Sequence, residues 1–154
     1  MIGLIIAIIA FNYLGFKTNK LLSDNQILHI WLFTISFQLL FDIMMEFKYQ
    51  AYWYFDKEID WLGILPHVFI IPPVNMFFLN WYSHKRGWFK QLVYLAVFVI
   101  AILIYEGITL LPEPWGYFHY GWWSLWHAAI LDPILLLILL GFYKWICLLE
   151  KRAC

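Results

Sequence analysis

The stretch Trp88–Leu111, WFKQLVYLAVFVIAILIYEGITLL, carries no charged residue between Lys90 and Glu106. A helix that crosses a bilayer needs on the order of 20 predominantly apolar residues, and this run supplies them. The rest of the chain reads the same way. Of 154 residues, 64% are apolar and 13% charged, which is too much apolar surface for a small soluble core to hide and points to lipid as the solvent. Four further apolar runs flank this one, at Ile2–Phe16, Ile27–Phe47, Ile59–Trp81 and Ser124–Leu149. The expected fold is therefore all-α: an integral membrane bundle of five transmembrane helices forming a single transmembrane domain over residues 1–154.

Local signals sharpen the outline. Ser23 followed by Gln26 has the form of a capping box and predicts a helix start. Pro66, Pro72 and Pro73 should kink or break the third span, a defect that lipid tolerates only where neighbouring groups satisfy the freed carbonyls. The first run is short. It lacks a basic leader and a small-residue cleavage site before Lys17, so it reads as a retained span and not as a signal peptide.

Charge placement gives an orientation. Lys17, Lys20, Lys85, Arg86, Lys90, Lys144, Lys151 and Arg152 fall on one side of the expected topology, and only Lys48 and Lys57 on the other. The positive-inside rule then puts the N-terminus outside and the C-terminus in the cytoplasm. Cys147 and Cys154 lie near the cytoplasmic end, where thiols stay reduced, and imply no disulfide framework. A net charge of zero argues against nucleic acid as a partner, because phosphate binding needs a concentrated basic face.

Two acid–base pairs stand out in this apolar background. Glu46 and His67 are 21 residues apart, as are Glu106 and His127, and each histidine stands six residues before a proline, Pro73 or Pro133. Ionisable side chains within a bilayer are costly and mark functional candidates. With the orientation above, Asp42, Glu46, His67, Glu106, His127 and Asp132 fall within roughly 5–12 Å of the outer boundary at the rise of a helix. The common offset of 60 residues suggests a parallel duplication of a two-helix hairpin, whose pseudo-twofold would bring the four residues to one centre.

Such a quartet fits a divalent metal ion such as zinc, iron or manganese, with Glu46, His67, Glu106 and His127 as ligands and Asp42 and Asp132 in support. Gln38, Asp42 and Glu46 recur every four residues and would share one helix face. Without metal, the same groups form Glu–His pairs suited to proton exchange, or merely lock helices together. The leading expectation is an outward-facing site that binds or passes a cation or proton. A metal-dependent intramembrane hydrolase is the alternative, and a structural or protective membrane protein without chemistry is a third. Whether the chain is an enzyme is left open. The partners implied are the lipid bilayer and, since five short helices leave little room for a complete transport machine, a second copy of the chain or another membrane protein.

Weaker patterns complete the reading. Ser124, His127 and Asp132 have the residue types of a hydrolytic triad, but they come from one short stretch, and Asp132-Pro133 reads more simply as a helix start or kink. Asp56, Glu58 and Asp60 form an acidic loop without the glycine and terminal glutamate of a calcium site. Aromatic residues crowd both expected outer connections, Tyr49–Trp61 and Trp115–Trp123, as an interfacial belt, as a lid over the polar layer or as a groove for an amphipathic ligand.

The Tyr52-x-Tyr54-Phe55 segment with Ile59-Asp60-Trp61, the proline-broken helix ending in Leu79-Asn80-Trp81-Tyr82, Glu106, and Tyr120-x-Trp122-Trp123-Ser124 together resemble a small uncharacterised multi-pass membrane-protein family of spore-forming Firmicutes. The resemblance covers most of the chain after Leu21. It implies a protein of the bacterial cytoplasmic membrane and no catalytic role.

Overall fold

The computed structural model describes residues 1–55, 57, 61–82 and 87–153. The acidic-loop residues Asp56, Glu58 and Asp60, as well as Ile59, Lys85, Arg86 and Cys154, lie outside the described residues. The chain is mostly helical: α1 (Ile2–Thr18), α2 (Asp24–Ile43), α3 (Trp61–Phe69), α4 (Ile71–Trp81), α5 (Trp88–Thr109) and α6 (Leu125–Ala153). Four segments are long and apolar enough to cross a membrane, namely Asp24–Lys48, Trp61–Trp81, Trp88–Thr109 and Leu125–Arg152. The helix α1 is apolar too but shorter.

Three features depart from a plain bundle of five helices. The last turn of α2 widens into a π-helical turn at Met44–Lys48. The connections after it and after α5 pair as a two-stranded antiparallel ribbon of β1 (Tyr52–Tyr54) and β2 (Phe118–Tyr120), with Tyr52 opposite Tyr120 and Tyr54 opposite Phe118. Finally, α6 begins at Leu125, its first turn bonded to the Ser124 carbonyl, so Asp132-Pro133 lies within a helix and does not start one.

The capping box forms as the sequence predicts. The Ser23 side chain accepts from the Gln26 backbone N–H, and the Gln26 side chain accepts from the Ser23 N–H. At the same end of the bundle, Gln26 and Asn25 donate to the Glu150 carboxylate at 2.6 and 2.8 Å, tying the start of α2 to the end of α6. Asn80 at the end of α4 accepts from the backbone of Lys20 and Leu21 and so fixes the turn between α1 and α2.

The break between α3 and α4 follows from its prolines. Pro72 and Pro73 have no N–H, so the carbonyls four residues earlier, on Val68 and Phe69, lose their helical donors. Side chains of two neighbouring helices replace them. Trp31 Nε1 on α2 donates to Val68 O at 3.1 Å, and Asn12 Nδ2 on α1 donates to Phe69 O at 2.6 Å. Gly15 lets α1 approach this break closely, since a Cβ there would meet the Pro73 side chain at 3.3 Å. The short first helix thus caps part of the backbone defect in the broken span.

Away from the ribbon, Ile30, Met76, Phe78, Leu79, Leu136 and Leu139 belong to the main buried cluster. In a bilayer such contacts would act through close packing, because lipid tails are as apolar as the side chains. One polar pair sits inside, with Asn75 Nδ2 donating to Thr34 Oγ1 at 2.8 Å.

Candidate functional site

The ribbon caps one end of the helices and is anchored mainly by acidic groups beneath it. Two short strands alone are marginally stable. Here the Tyr52 hydroxyl donates to Asp42 Oδ1, the Tyr54 N–H to Glu46 Oε1 at 3.3 Å, and the Tyr120 hydroxyl to Glu106 Oε1 at 2.6 Å. The Tyr117 and Tyr105 hydroxyls share a bond of 2.5 Å, and Tyr117 N–H donates to Thr109 O at 2.9 Å. Burial raises the hydroxyl pKa of Tyr52, Tyr54, Tyr117 and Tyr120 well above the ordinary tyrosine value, with nearby acids or tyrosine hydroxyls adding to the effect. The four hydroxyls therefore stay neutral, and those of Tyr52 and Tyr120 donate to carboxylates.

Asp42 and His67 form a buried polar pair. Asp42 is 7% exposed and His67 2%, and His67 Nε2 lies 2.8 Å from Asp42 Oδ2. The other ring nitrogen, Nδ1, lies 2.8 Å from the Gly63 carbonyl. A carbonyl only accepts, so Nδ1 carries hydrogen. The short Nε2–Oδ2 contact then needs one more proton between its atoms, and whichever atom holds it, the pair is net neutral. That neutrality lowers the cost of burying the pair within a low-dielectric bundle.

The predicted quartet does not gather at one centre. Among the described residues, no group of three or more His, Cys, Asp and Glu side chains is placed to hold a metal ion. His67 meets Asp42 in place of Glu46. The π-helical turn is the cause: it breaks the four-residue register after Asp42, so Gln38 and Asp42 keep a common inward face while Glu46 swings toward the backbone of β1 and the side pocket with Gln50, Trp53 and Lys57. His127 is exposed, bonded through Nδ1 to Ser124 Oγ at 2.8 Å and packed against the rings of Trp122 and Trp123. Glu106 takes its bond from Tyr120. The side chains consequently do not follow the pseudo-twofold suggested by the offset of 60 residues. Nor is there a triad, because Asp132 lines an interior cavity five residues along α6 from exposed His127.

That cavity collects the acids differently. It has a volume of about 450 Å³ and runs between α2, α4, α5 and α6 under the ribbon. Asp42, Glu106 and Asp132 line it near the ribbon, Gln38 stands one turn below Asp42, and the remaining wall is almost entirely apolar or aromatic. No lysine, arginine or histidine is among its described lining residues. Asp132 Oδ2 is buried there and has no hydrogen-bond partner among the described residues. Compared with known proteins, the chain matches no family model, no curated protein and no solved structure.

In the sequence pattern Asp42 and Asp132 are only supports for the quartet. The structure makes them central, one in the neutral pair and the other in the cavity wall. Tyr52 and Tyr120 are visible in the sequence only as members of aromatic clusters. Their distinguishing signal is position: each falls in a connection that follows a helix ending in an acid, and a phenol is a neutral donor for such a group.

Proposed function

We propose that the protein is a five-span protein of the bacterial cytoplasmic membrane with the ribbon end outside, and that its outer half binds or exchanges a cation or proton. The observation that carries this reading is the charge inventory of the cavity. Asp42 is matched by His67, whereas Glu106 and Asp132 face the same cavity without a basic side chain among its described lining residues. Two carboxylates in a poorly solvated space cannot both keep an uncompensated charge, so a proton or an external cation must make up the difference. Tyr120 supports a split of roles, since its donated bond suits an ionised Glu106, while Asp132 Oδ2 has no donor among the described residues.

The orientation is supported by basic residues that cluster at helix ends away from the ribbon: Lys17, Lys20, Lys90, Lys144, Lys151 and Arg152, against Lys48 and Lys57 near it. Infrared spectroscopy of the protein in lipid nanodiscs at neutral pH and low salt tests the reading. The expected spectrum contains the C=O stretch of a protonated carboxyl group that Asp132→Asn or Glu106→Gln removes and that added cation weakens. Carboxylate bands alone, insensitive to either substitution and to cations, would refute the reading.

A further inference from the structure

The cavity has a shape as well as a charge. On α5 its wall runs through Tyr94, Phe98, Ala101, Tyr105 and Thr109, a single helix face followed for 15 residues, or about 22 Å at the rise of a helix. On α6 it runs similarly from Ala128 to Leu139. Its volume of about 450 Å³ extends between these two helix faces as an elongated, mostly apolar slot. Its carboxyl groups are confined to the ribbon end. Below Gln38 the only polar side chain in the described wall, besides tyrosine and tryptophan, is that of Asn75, while Thr109 lies beside the acids. Asn75 is already engaged with Thr34.

We propose that this slot takes a single-chain amphiphile with a cationic ammonium head, its head at Glu106 and Asp132 and its chain along the α5–α6 face toward Tyr94 and Leu139. The inference rests on the cation-binding reading above and names the class of cation. An anionic head is disfavoured by charge, because it would add a negative group beside Glu106 and Asp132, for which the described lining offers no basic partner. A small hydrated cation fits poorly, because it would leave most of an apolar slot unfilled. The neighbouring aromatic rings suit an ammonium head, since Tyr52, Tyr117 and Trp123 line the ribbon end and ring faces attract such groups. Trp81, a wall residue that is 65% exposed, and Ala101, also exposed, show that the slot reaches the bundle surface, so a chain can enter from the lipid side.

The experiment is equilibrium dialysis of radiolabelled dodecyltrimethylammonium against phosphatidylcholine nanodiscs with and without the protein, beside dodecanol and dodecanoate of the same chain length. The expected result is saturable uptake of one ammonium amphiphile per chain above that of empty discs, with dodecanol weaker by about tenfold or more for want of the charge contact, and no saturable uptake of dodecanoate. Asp132→Asn should weaken the ammonium probe by a similar factor. Ala101→Trp and, independently, Leu135→Phe should block uptake by filling the slot while leaving the protonated-carboxyl band in place. Equal uptake of the three probes, or no saturable uptake of any, overturns the proposal. If the carboxyl band is present when uptake fails, only the amphiphile is excluded. If the band is absent as well, the cation-binding reading falls with it.

Discussion

Asn12 is predicted to matter only because residue 73 is a proline. Its Nδ2 lies 2.6 Å from the Phe69 carbonyl, the acceptor that Pro73 cannot serve, and this contact stands midway along the broken span. Replacing Asn12 by leucine keeps an extended side chain there and removes the donor. An acceptor left unsatisfied away from water costs about 1–3 kcal/mol. The average interhelical polar contact in a membrane protein is worth only about 0.6 kcal/mol, but that average includes groups that find other partners, and Phe69 O has lost its own helix donor. We therefore expect Asn12→Leu to lower unfolding free energy by about 1–3 kcal/mol. In a Pro73→Ala background the restored N–H can bond Phe69 O, and the same substitution should then cost less than about 0.5 kcal/mol. Unfolding in mixed micelles, titrated with dodecyl sulfate and followed by circular dichroism, measures all four corners of the cycle. Equal losses in the two backgrounds would refute the reasoning, since Asn12 would then act through packing or through its second bond, to Ile8 O at 2.8 Å.

The ribbon tyrosines give a pH dependence: burial raises the pKa of Tyr52, Tyr54, Tyr117 and Tyr120 in the folded state, so their contribution is complete below the unfolded value of about 10 and is lost as pH rises above it. An ultraviolet titration should find these four unionised through the ordinary tyrosine range, with their ionisation coinciding with unfolding; a full complement of tyrosinate in folded protein would contradict this. Gly121→Ala should loosen the ribbon, because its Cβ would clash with the Gln50 carbonyl oxygen; faster amide exchange at Trp53 and His119 with helical content unchanged is the expected signature, and unchanged exchange would count against it. Elemental analysis should give less than one transition metal per chain, unaffected by His127→Ala; one metal per chain, lost in both Glu46→Gln and His127→Ala, would reinstate the four-ligand centre.

Helical class, the four long apolar segments, the capping box and the proline break are legible in the sequence because each depends on local chemistry: apolar length, a serine three residues before a glutamine, rings that lack N–H groups. The partners of the acids are not legible, and the reason is geometric. A repeated spacing of 21 residues locates Glu46 and Glu106 along their helices but says nothing about azimuth, and one π-helical turn suffices to rotate Glu46 away from the face that Asp42 keeps. The aromatic connections are ambiguous for a related reason. Tyrosine and tryptophan at a helix end satisfy the headgroup layer equally well as isolated side chains or as a paired ribbon, and only long-range pairing of Tyr52 with Tyr120 separates the two.

The position of the site follows from the same geometry. A helix running through lipid can bury a carboxyl group only where another element brings a donor or a compensating charge. At Asp42 two elements do so, β1 with the Tyr52 hydroxyl and α3 with His67, and the result is closed and neutral. At Glu106 the ribbon supplies one donor through Tyr120, and at Asp132 no described protein group donates to Oδ2. Compensation thus decreases across the cavity from α2 to α6, and the ribbon that satisfies the first acids also closes the space over the last. Asp132, whose Oδ2 is buried without a partner among the described residues, is therefore where the proposed proton or cation would make its bond.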